Sequence, residues 1–161
     1  MKKSLLVCSI IFVVTAFLTS AFASEYTKFS RKFIKKMRDC DAYEETITST
    51  YDGNSFTTQR KIIGWRNGFC QYQEIISSTD GKYKLDCGFS DAQVDDLYEA
   101  MKSRSKTPEK YTLQLFEPKT NPKTGEVTYV RGGTTVIKGN KAYIQWAKLQ
   151  NNPYFCVPTK L

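Results

Sequence analysis

The 161-residue chain contains no histidine, and this absence narrows the chemistry that is open to it. Ser-His-Asp and Cys-His nucleophilic catalysis both need an imidazole as the base. Histidine-ligated metal sites and histidine-based acid–base chemistry are excluded for the same reason. Of the common hydrolytic arrangements, a pair of carboxylates remains, since glycosidases need only two acids about 5–10 Å apart.

Other chemical signatures are missing as well. The chain has no Cys-x-x-Cys pair, and no glycine-rich loop is followed by Lys-Ser or Lys-Thr, so neither a zinc site nor a phosphate-binding loop is indicated. We therefore expect no cofactor, no metal site and no catalytic constellation. The acids best placed for a carboxylate mechanism are Glu44, Glu45 and Glu74, which fall on predicted strands.

Long apolar runs are absent after residue 23, and the run before it has the three-part pattern of a cleaved secretory signal. The chain begins Met-Lys-Lys, residues 4–19 are mostly apolar, and residues 21–23 are Ala-Phe-Ala, small residues at the spacing that a signal peptidase reads. The run is shorter than the ~20 residues that span a bilayer. We expect residues 1–23 to be removed, leaving a single soluble domain of residues 24–161 in the bacterial periplasm or outside the cell.

The mature chain is basic. The whole chain has 24 basic and 16 acidic residues, and since Lys2 and Lys3 leave with the signal, 22 basic residues remain and the net charge is +6. A positive excess favours anionic partners such as phosphates, nucleic acid, acidic lipids or acidic glycans, but it selects none of them.

Four cysteines remain after cleavage, and an oxidising compartment makes two disulfides the expected state. Four cysteines allow three connectivities, and the sequence does not choose among them. A Cys70–Cys87 bridge, for example, depends on the register of the turn between the strands that carry the two residues. The four are Cys40, Cys70, Cys87 and Cys156.

Glu25–Arg38 is predicted to be an amphipathic helix, because at ~100° per residue its apolar side chains fall within an arc of about 140°. We expect it to pack on the protein's own sheet, as an α+β domain requires. The alternatives are that it lies on an anionic membrane or on a phosphate backbone. The apolar residues are Tyr26, Phe29, Phe33, Ile34 and Met37, and the cations opposite them are Lys28, Arg31, Lys32, Lys35, Lys36 and Arg38.

A meander of strands is predicted next, and its register follows from Asn67-Gly68, a strong hairpin signal. A two-residue turn there places Trp65 opposite Cys70, Ile63 opposite Tyr72, and Lys61 opposite Glu74. This register puts Trp65, Ile63 and Tyr72 on the core face and leaves Arg60 and Ile62 on the wetter face. The strands of this meander are Tyr43–Tyr51, Phe56–Trp65, Phe69–Ser77 and, after a turn at Asp80-Gly81, Tyr83–Phe89.

Ser90–Lys102 is predicted to be a second helix, opened by a Ser90/Gln93 capping box. A second meander is then expected, with a strand at Tyr111–Phe116, turns at Gly132-Gly133 and Gly139-Asn140, and a strand, in preference to a helix, at Tyr143–Leu149. Cys156 is expected to fasten an irregular tail. The predicted fold is thus α+β: an N-terminal amphipathic helix on a curved antiparallel sheet of two meanders, with a second short helix and two disulfides.

The functional hypothesis is a non-enzymatic binding module of the cell envelope, whose partner is an anionic molecule or a protein. The predicted contact is a proline- and lysine-rich loop, Glu117–Gly125, because long exposed loops on rigid scaffolds often carry recognition. The alternatives are a membrane- or polyanion-active effector that uses the basic helix, and a carboxylate-dependent glycan hydrolase. The candidate contact residues are Lys119 and Lys123 in the loop and Lys28, Lys32 and Lys35 on the helix.

Overall fold

The computed structural model describes residues 29–51, 54–79, 81–103, 105 and 107–161. The predicted signal peptide and its cleavage site, residues 25–28 of the predicted helix and the candidate contact Lys28 lie outside the described residues. The elements in chain order are α1 (Arg31–Asp39), β1 (Tyr43–Tyr51), β2 (Asn54–Arg66), β3 (Phe69–Ser78), β4 (Gly81–Phe89), α2 (Asp91–Lys102), β5 (Glu109–Thr120), β6 (Val127–Gly139), α3 (Lys141–Gln150) and β7 (Cys156–Lys160).

The strands form two antiparallel sheets. Five strands pair in the order β1-β2-β3-β4-β7, and β5 pairs with β6 in a separate two-stranded sheet. The predicted α+β class and the first meander, β1 to β4, are confirmed. Cys156 is also fastened as expected, but the segment that follows it is a regular strand at the sheet edge instead of an irregular tail, paired with β4 from Cys87↔Cys156 to Tyr83↔Lys160.

The main core lies between one face of the five-stranded sheet and the three described helices. Tyr72 occupies its centre, with ring centroids of Trp146, Phe89 and Phe33 at 5.0, 6.1 and 6.2 Å. Aromatic side chains bury large apolar areas, so this cluster supplies much of the driving force for folding.

Helix α1 packs against this core. Its N-cap is Ser30, whose hydroxyl accepts a hydrogen bond from the Phe33 amide. The helix therefore begins at Arg31, later in the chain than the predicted start at Glu25, and Phe29 lies before it. Phe33 and Met37 are both 0% exposed. The apolar side of the helix is thus used by the protein's own core, as expected, and its cations face away from that core.

The disulfides join Cys40 to Cys70 and Cys87 to Cys156. The bridge between Cys70 and Cys87 does not form, because Ser78 pairs with Gly81 and this register places Cys70 opposite Phe89. The register is displaced by two residues from that of a two-residue turn at Asp80-Gly81, which would place Cys70 opposite Asp91. Both observed bridges join segments far apart in the chain, with separations of 30 and 69 residues.

The predicted register of β2 against β3 holds only at the turn. Trp65 does pair with Cys70, but a bulge between Ile62 and Gly64 shifts the rest by one residue. Ile62 therefore lies opposite Tyr72 and is buried, whereas the prediction placed it on the wetter face. The sequence signal for the bulge is Gly64, whose φ of +115° is a conformation that favours glycine.

The second predicted meander is wrong. Gly132 and Gly133 lie within β6, where the two of them oppose Leu115 in a bulge, so no turn forms there. Asn140 is an N-cap, its side chain accepting a hydrogen bond from the Tyr143 amide, and it starts α3 where a strand was preferred. The last third of the domain is therefore a hairpin followed by a helix and a short strand.

Candidate functional site

The hairpin formed by β5 and β6, residues 109–139, packs its buried side chains against the domain at its base, and we refer to it as the hairpin arm. Leu113 and Ile137 are its buried hydrophobic side chains, and they pack with Ile144 and Ala147 of α3 in a second small core. The other side of α3 faces the main core through Trp146 and Leu149. Helix α3 therefore connects the arm to the disulfide-bonded part of the domain.

Beyond this base the arm is regular but unburied. From Phe116 to Arg131 no residue is buried, although five residues of β5 in this stretch still pair with β6. Tyr154 supports the start of this distal part, because its ring meets Phe116 edge-on at 6.1 Å and its hydroxyl donates to the Tyr129 carbonyl at 3.5 Å. At ~3.4 Å per residue the five strand residues extend roughly 17 Å.

The predicted contact loop lies at the tip of the arm but is shorter than expected. Pro118 and Lys119 belong to β5, opposite Tyr129 and Thr128, so only residues 121–126 form the loop. A proline is tolerated in this strand because both strands of a two-stranded sheet are edges. Asn121 orders the loop: its side chain accepts from the Lys123 amide, and its backbone pairs with Glu126. Lys119 and Lys123 are both exposed.

The candidate lysines on α1 lie on another part of the fold. Lys35 is exposed, and the Lys32 ammonium lies 5.1 Å from the Tyr43 ring centroid, a cation–π contact with β1. Helix α1 packs on the five-stranded sheet, whereas Lys119 and Lys123 are carried by the two-stranded sheet. The candidate contacts thus fall into two separate groups.

A buried polar cluster lies at the margin of the main core. Glu45, Arg60 and Glu74 form one row across β1, β2 and β3, with side-chain exposures of 10%, 11% and 5%. The Arg60 Nη1 is 3.9 Å from Glu45 and its Nε is 3.8 Å from Glu74, which are ion-pair distances but too long for hydrogen bonds. One cation is therefore shared between two carboxylates.

The same cluster joins three parts of the domain. Glu74 accepts hydrogen bonds from the Tyr72 hydroxyl and from Gln150 at the end of α3, both at 3.0 Å. Ser30, the N-cap of α1, donates to Glu45, and the Arg60 guanidinium lies 4.6 Å from the Phe29 ring centroid. The cluster thus links α1, the five-stranded sheet and the end of α3.

Burial dominates the electrostatics of this row. It raises the pKa of Glu74 above its ordinary value of 4.5, although the Arg60 charge and the hydrogen bonds act in the opposite direction. Burial also raises the pKa of the Tyr72 phenol well above its ordinary value. Tyr72 and Gln150 remain donors to Glu74 at neutral pH.

Replacing Glu74 by glutamine should flatten part of the pH dependence of stability. Because the pKa of Glu74 is raised in the folded state, the folded protein binds the Glu74 proton more tightly than the unfolded chain does. The stability that this proton contributes is complete below about pH 4.5 and is lost as the pH rises through the folded-state pKa. We expect the unfolding free energy of the wild type, relative to Glu74→Gln, to increase as the pH falls from 7.5 to 5. Urea denaturation across this range measures it, and a constant difference would contradict the assignment.

Sequence reasoning considered both acids but did not bring them together. It placed Glu74 opposite Lys61, because it ran β2 straight through Gly64, and it gave Glu45 no cross-strand partner. In the structure Lys61 lies opposite Gln73, and its ammonium is 3.8 Å from Glu44 on the other side of the sheet. The sequence signal for the shifted register was Gly64 itself, since a glycine inside a strand pattern indicates a bulge.

No family model, no curated protein and no solved structure matches this chain. Within the described ranges no helix is both long and apolar enough to cross a bilayer. Over the same residues, no group of three or more acidic, cysteine or histidine side chains is arranged to hold a metal ion.

Proposed function

We propose that the protein is an exported, non-enzymatic binding module of the cell envelope, and that the distal part of the hairpin arm contacts its partner. The observation that supports this is the absence of burial along a regular stretch of hairpin, from Phe116 to Arg131. A two-stranded ribbon alone is at best marginally stable in water, and here the base of the arm supports the rest. Extending strands past the core costs conformational entropy without adding core contacts, as expected of a segment kept for recognition.

The partner that the arm fits is an extended segment of another protein. Each strand of a two-stranded sheet has an open edge whose backbone groups can pair with an added strand. Val127 and Val130 are 49% and 42% exposed, and Lys119 and Lys123 flank them at the tip. Main-chain pairing would supply affinity, and the valines and lysines would supply specificity.

The two disulfides support the proposed compartment, because such bonds persist outside reducing compartments. They tie α1 to β3 and β7 to β4, and so hold the five-stranded sheet that carries α3 and the arm. Cleavage after Ala23 and a periplasmic or secreted location remain predictions from the sequence.

Shortening the tip should abolish partner capture without unfolding the domain. In this variant residues 121–126 are replaced by Asn-Gly and Lys119 is replaced by glutamine. We expect immobilised variant protein to retain about tenfold less partner, or still less, as loss of the main binding residues of an interface does. The Asn-Gly pair favours the tight turn that closes a two-residue hairpin. Capture from the envelope fraction of the producing cells, followed by affinity measurement with the purified partner, tests this.

The matched control changes two charges on α1. Lys32→Gln with Lys35→Gln should retain as much partner as the wild type, because these lysines lie on α1, which packs on the five-stranded sheet and not on the arm. Equal capture by the tip variant would remove the arm from consideration. Loss of capture only with the α1 variant would favour the alternative, a polyanion-active effector. Such an effector would have to use the cations of α1, because the apolar residues Phe33 and Met37 are buried.

A further inference from the structure

The face of the five-stranded sheet that points away from the three described helices carries an ordered polar surface, which we call the open face. Side chains alternate along a strand, so the neighbours of Glu45, Arg60 and Glu74, whose side chains face the core, point to the opposite side. The residues used below are Glu44 on β1, Gln59, Lys61 and Arg66 on β2, Gln73 on β3, and Lys84 and Asp86 on β4.

Each carboxylate of the open face is held in place by one amide and one ammonium group. Gln59 donates to Glu44, whose other oxygen lies 3.8 Å from the Lys61 ammonium. Gln73 donates to Asp86 at 2.8 Å, and Lys84 lies 2.7 Å from the same carboxylate.

Asp86 is accordingly stabilised as an anion. Its partial burial works to raise its pKa, but the hydrogen bonds from Lys84 and Gln73 outweigh this and the pKa lies below its ordinary value. The open face therefore presents planar polar groups that are already ordered, which lowers the entropic cost of binding to them.

A shallow, open concavity of about 620 Å³ lies on this face beside the β2 bulge. Glu44, Lys61, Arg66 and Gln73 line it together with Ile63, the extra residue of the bulge. Bulges often re-aim side chains next to functional sites, and the bulge residue here is part of the lining.

Arg66 is the cation of this site that lacks a carboxylate partner among the described residues, whereas Lys61 and Lys84 are each near one. A guanidinium group matches a carboxylate with two parallel hydrogen bonds. The surrounding amide, carboxylate and ammonium groups match hydroxyls, which both donate and accept. Sugar rings that bear carboxylates present both features together.

From this arrangement we infer that the open face binds an acidic polysaccharide, with Arg66 on a sugar carboxylate and Gln73, Lys61 and Glu44 on ring hydroxyls. This site is separate from the hairpin arm and does not depend on the arm's partner. The protein would then hold a glycan on one sheet and a protein segment on the other.

Calorimetric titration of the mature oxidised protein with three hexamers at 0.15 M salt tests the inference. Hexagalacturonate offers carboxylates and hydroxyls, cellohexaose offers hydroxyls only, and hexaglutamate offers carboxylates only. We expect hexagalacturonate to bind at least about tenfold more tightly than either of the others. Absence of hexagalacturonate binding, or equal binding of hexaglutamate, would overturn the proposal.

Two variants locate the site. Arg66→Gln and the uncharged change Gln73→Leu should each weaken hexagalacturonate binding at least about tenfold, as expected when a bound polar group loses its partner. Lys123→Gln removes the same charge from the arm tip and should leave the affinity within about twofold. If Lys123→Gln costs as much as Arg66→Gln, the binding is general polyanion attraction and the open face is not a site.

Discussion

Replacing Arg60 by methionine is expected to lower the free energy of unfolding by about 3–5 kcal/mol at pH 7.5, as removal of one member of a buried ion pair does. The change leaves Glu45 and Glu74 facing the core without the cation that they share, at side-chain exposures of 10% and 5%. It also removes the contact with the Phe29 ring. Urea denaturation followed by tryptophan fluorescence measures the loss.

The pH dependence and two further variants isolate the cause. The deficit should shrink as the pH falls toward 5, because protonation of Glu74 removes the uncompensated charge. Arg60→Met combined with Glu45→Gln and Glu74→Gln should recover most of the stability. Lys61→Met, on the open side of the same strand, should stay within about 0.5 kcal/mol of the wild type. If Lys61→Met is as damaging as Arg60→Met, the buried row is not what stabilises this part of the domain.

Removing the disulfides should have effects of similar size, ordered by loop length. In the chain-entropy description the pair Cys87→Ala and Cys156→Ala costs about 4.4 kcal/mol, and Cys40→Ala with Cys70→Ala costs about 3.6 kcal/mol. The difference follows from separations of 69 and 30 residues, which set how much the unfolded chain is restricted. Urea denaturation of each variant without reductant provides the comparison.

Hydrogen exchange distinguishes a local effect from this global one. β7 is a five-residue edge strand that pairs only with β4 among the described strands, so loss of Cys87–Cys156 should let its amides exchange near the rate of a frayed terminus. Loss of Cys40–Cys70 should leave β7 protected relative to the rest of the variant. Equal protection of β7 in both variants would show that its backbone pairing holds the terminus without the bridge.

The functional regions differ in how far the sequence located them. The exposed lysines of the arm tip were found because proline and lysine together disfavour burial, but the length of β5 was missed, since Pro118 was taken to end the strand. The row of Glu45, Arg60 and Glu74 was missed because a single bulge moves every side chain beyond it to the other face. The open face was missed for the same reason, as Lys61 was assigned to Glu74.

The sequence by itself determined the features that depend on neighbouring residues: the N-terminal amphipathic helix, the Asn67-Gly68 turn and the capping box at Ser90. These arise from local dihedral preferences and hydrogen bonds within a few residues. Only the tertiary structure decided the disulfide pairing, the register beyond Gly64 and the helical state of Lys141–Gln150. α3 illustrates the reason: Trp146 and Ile144 each enter a different core, and the free energy gained there comes from residues far away in the chain.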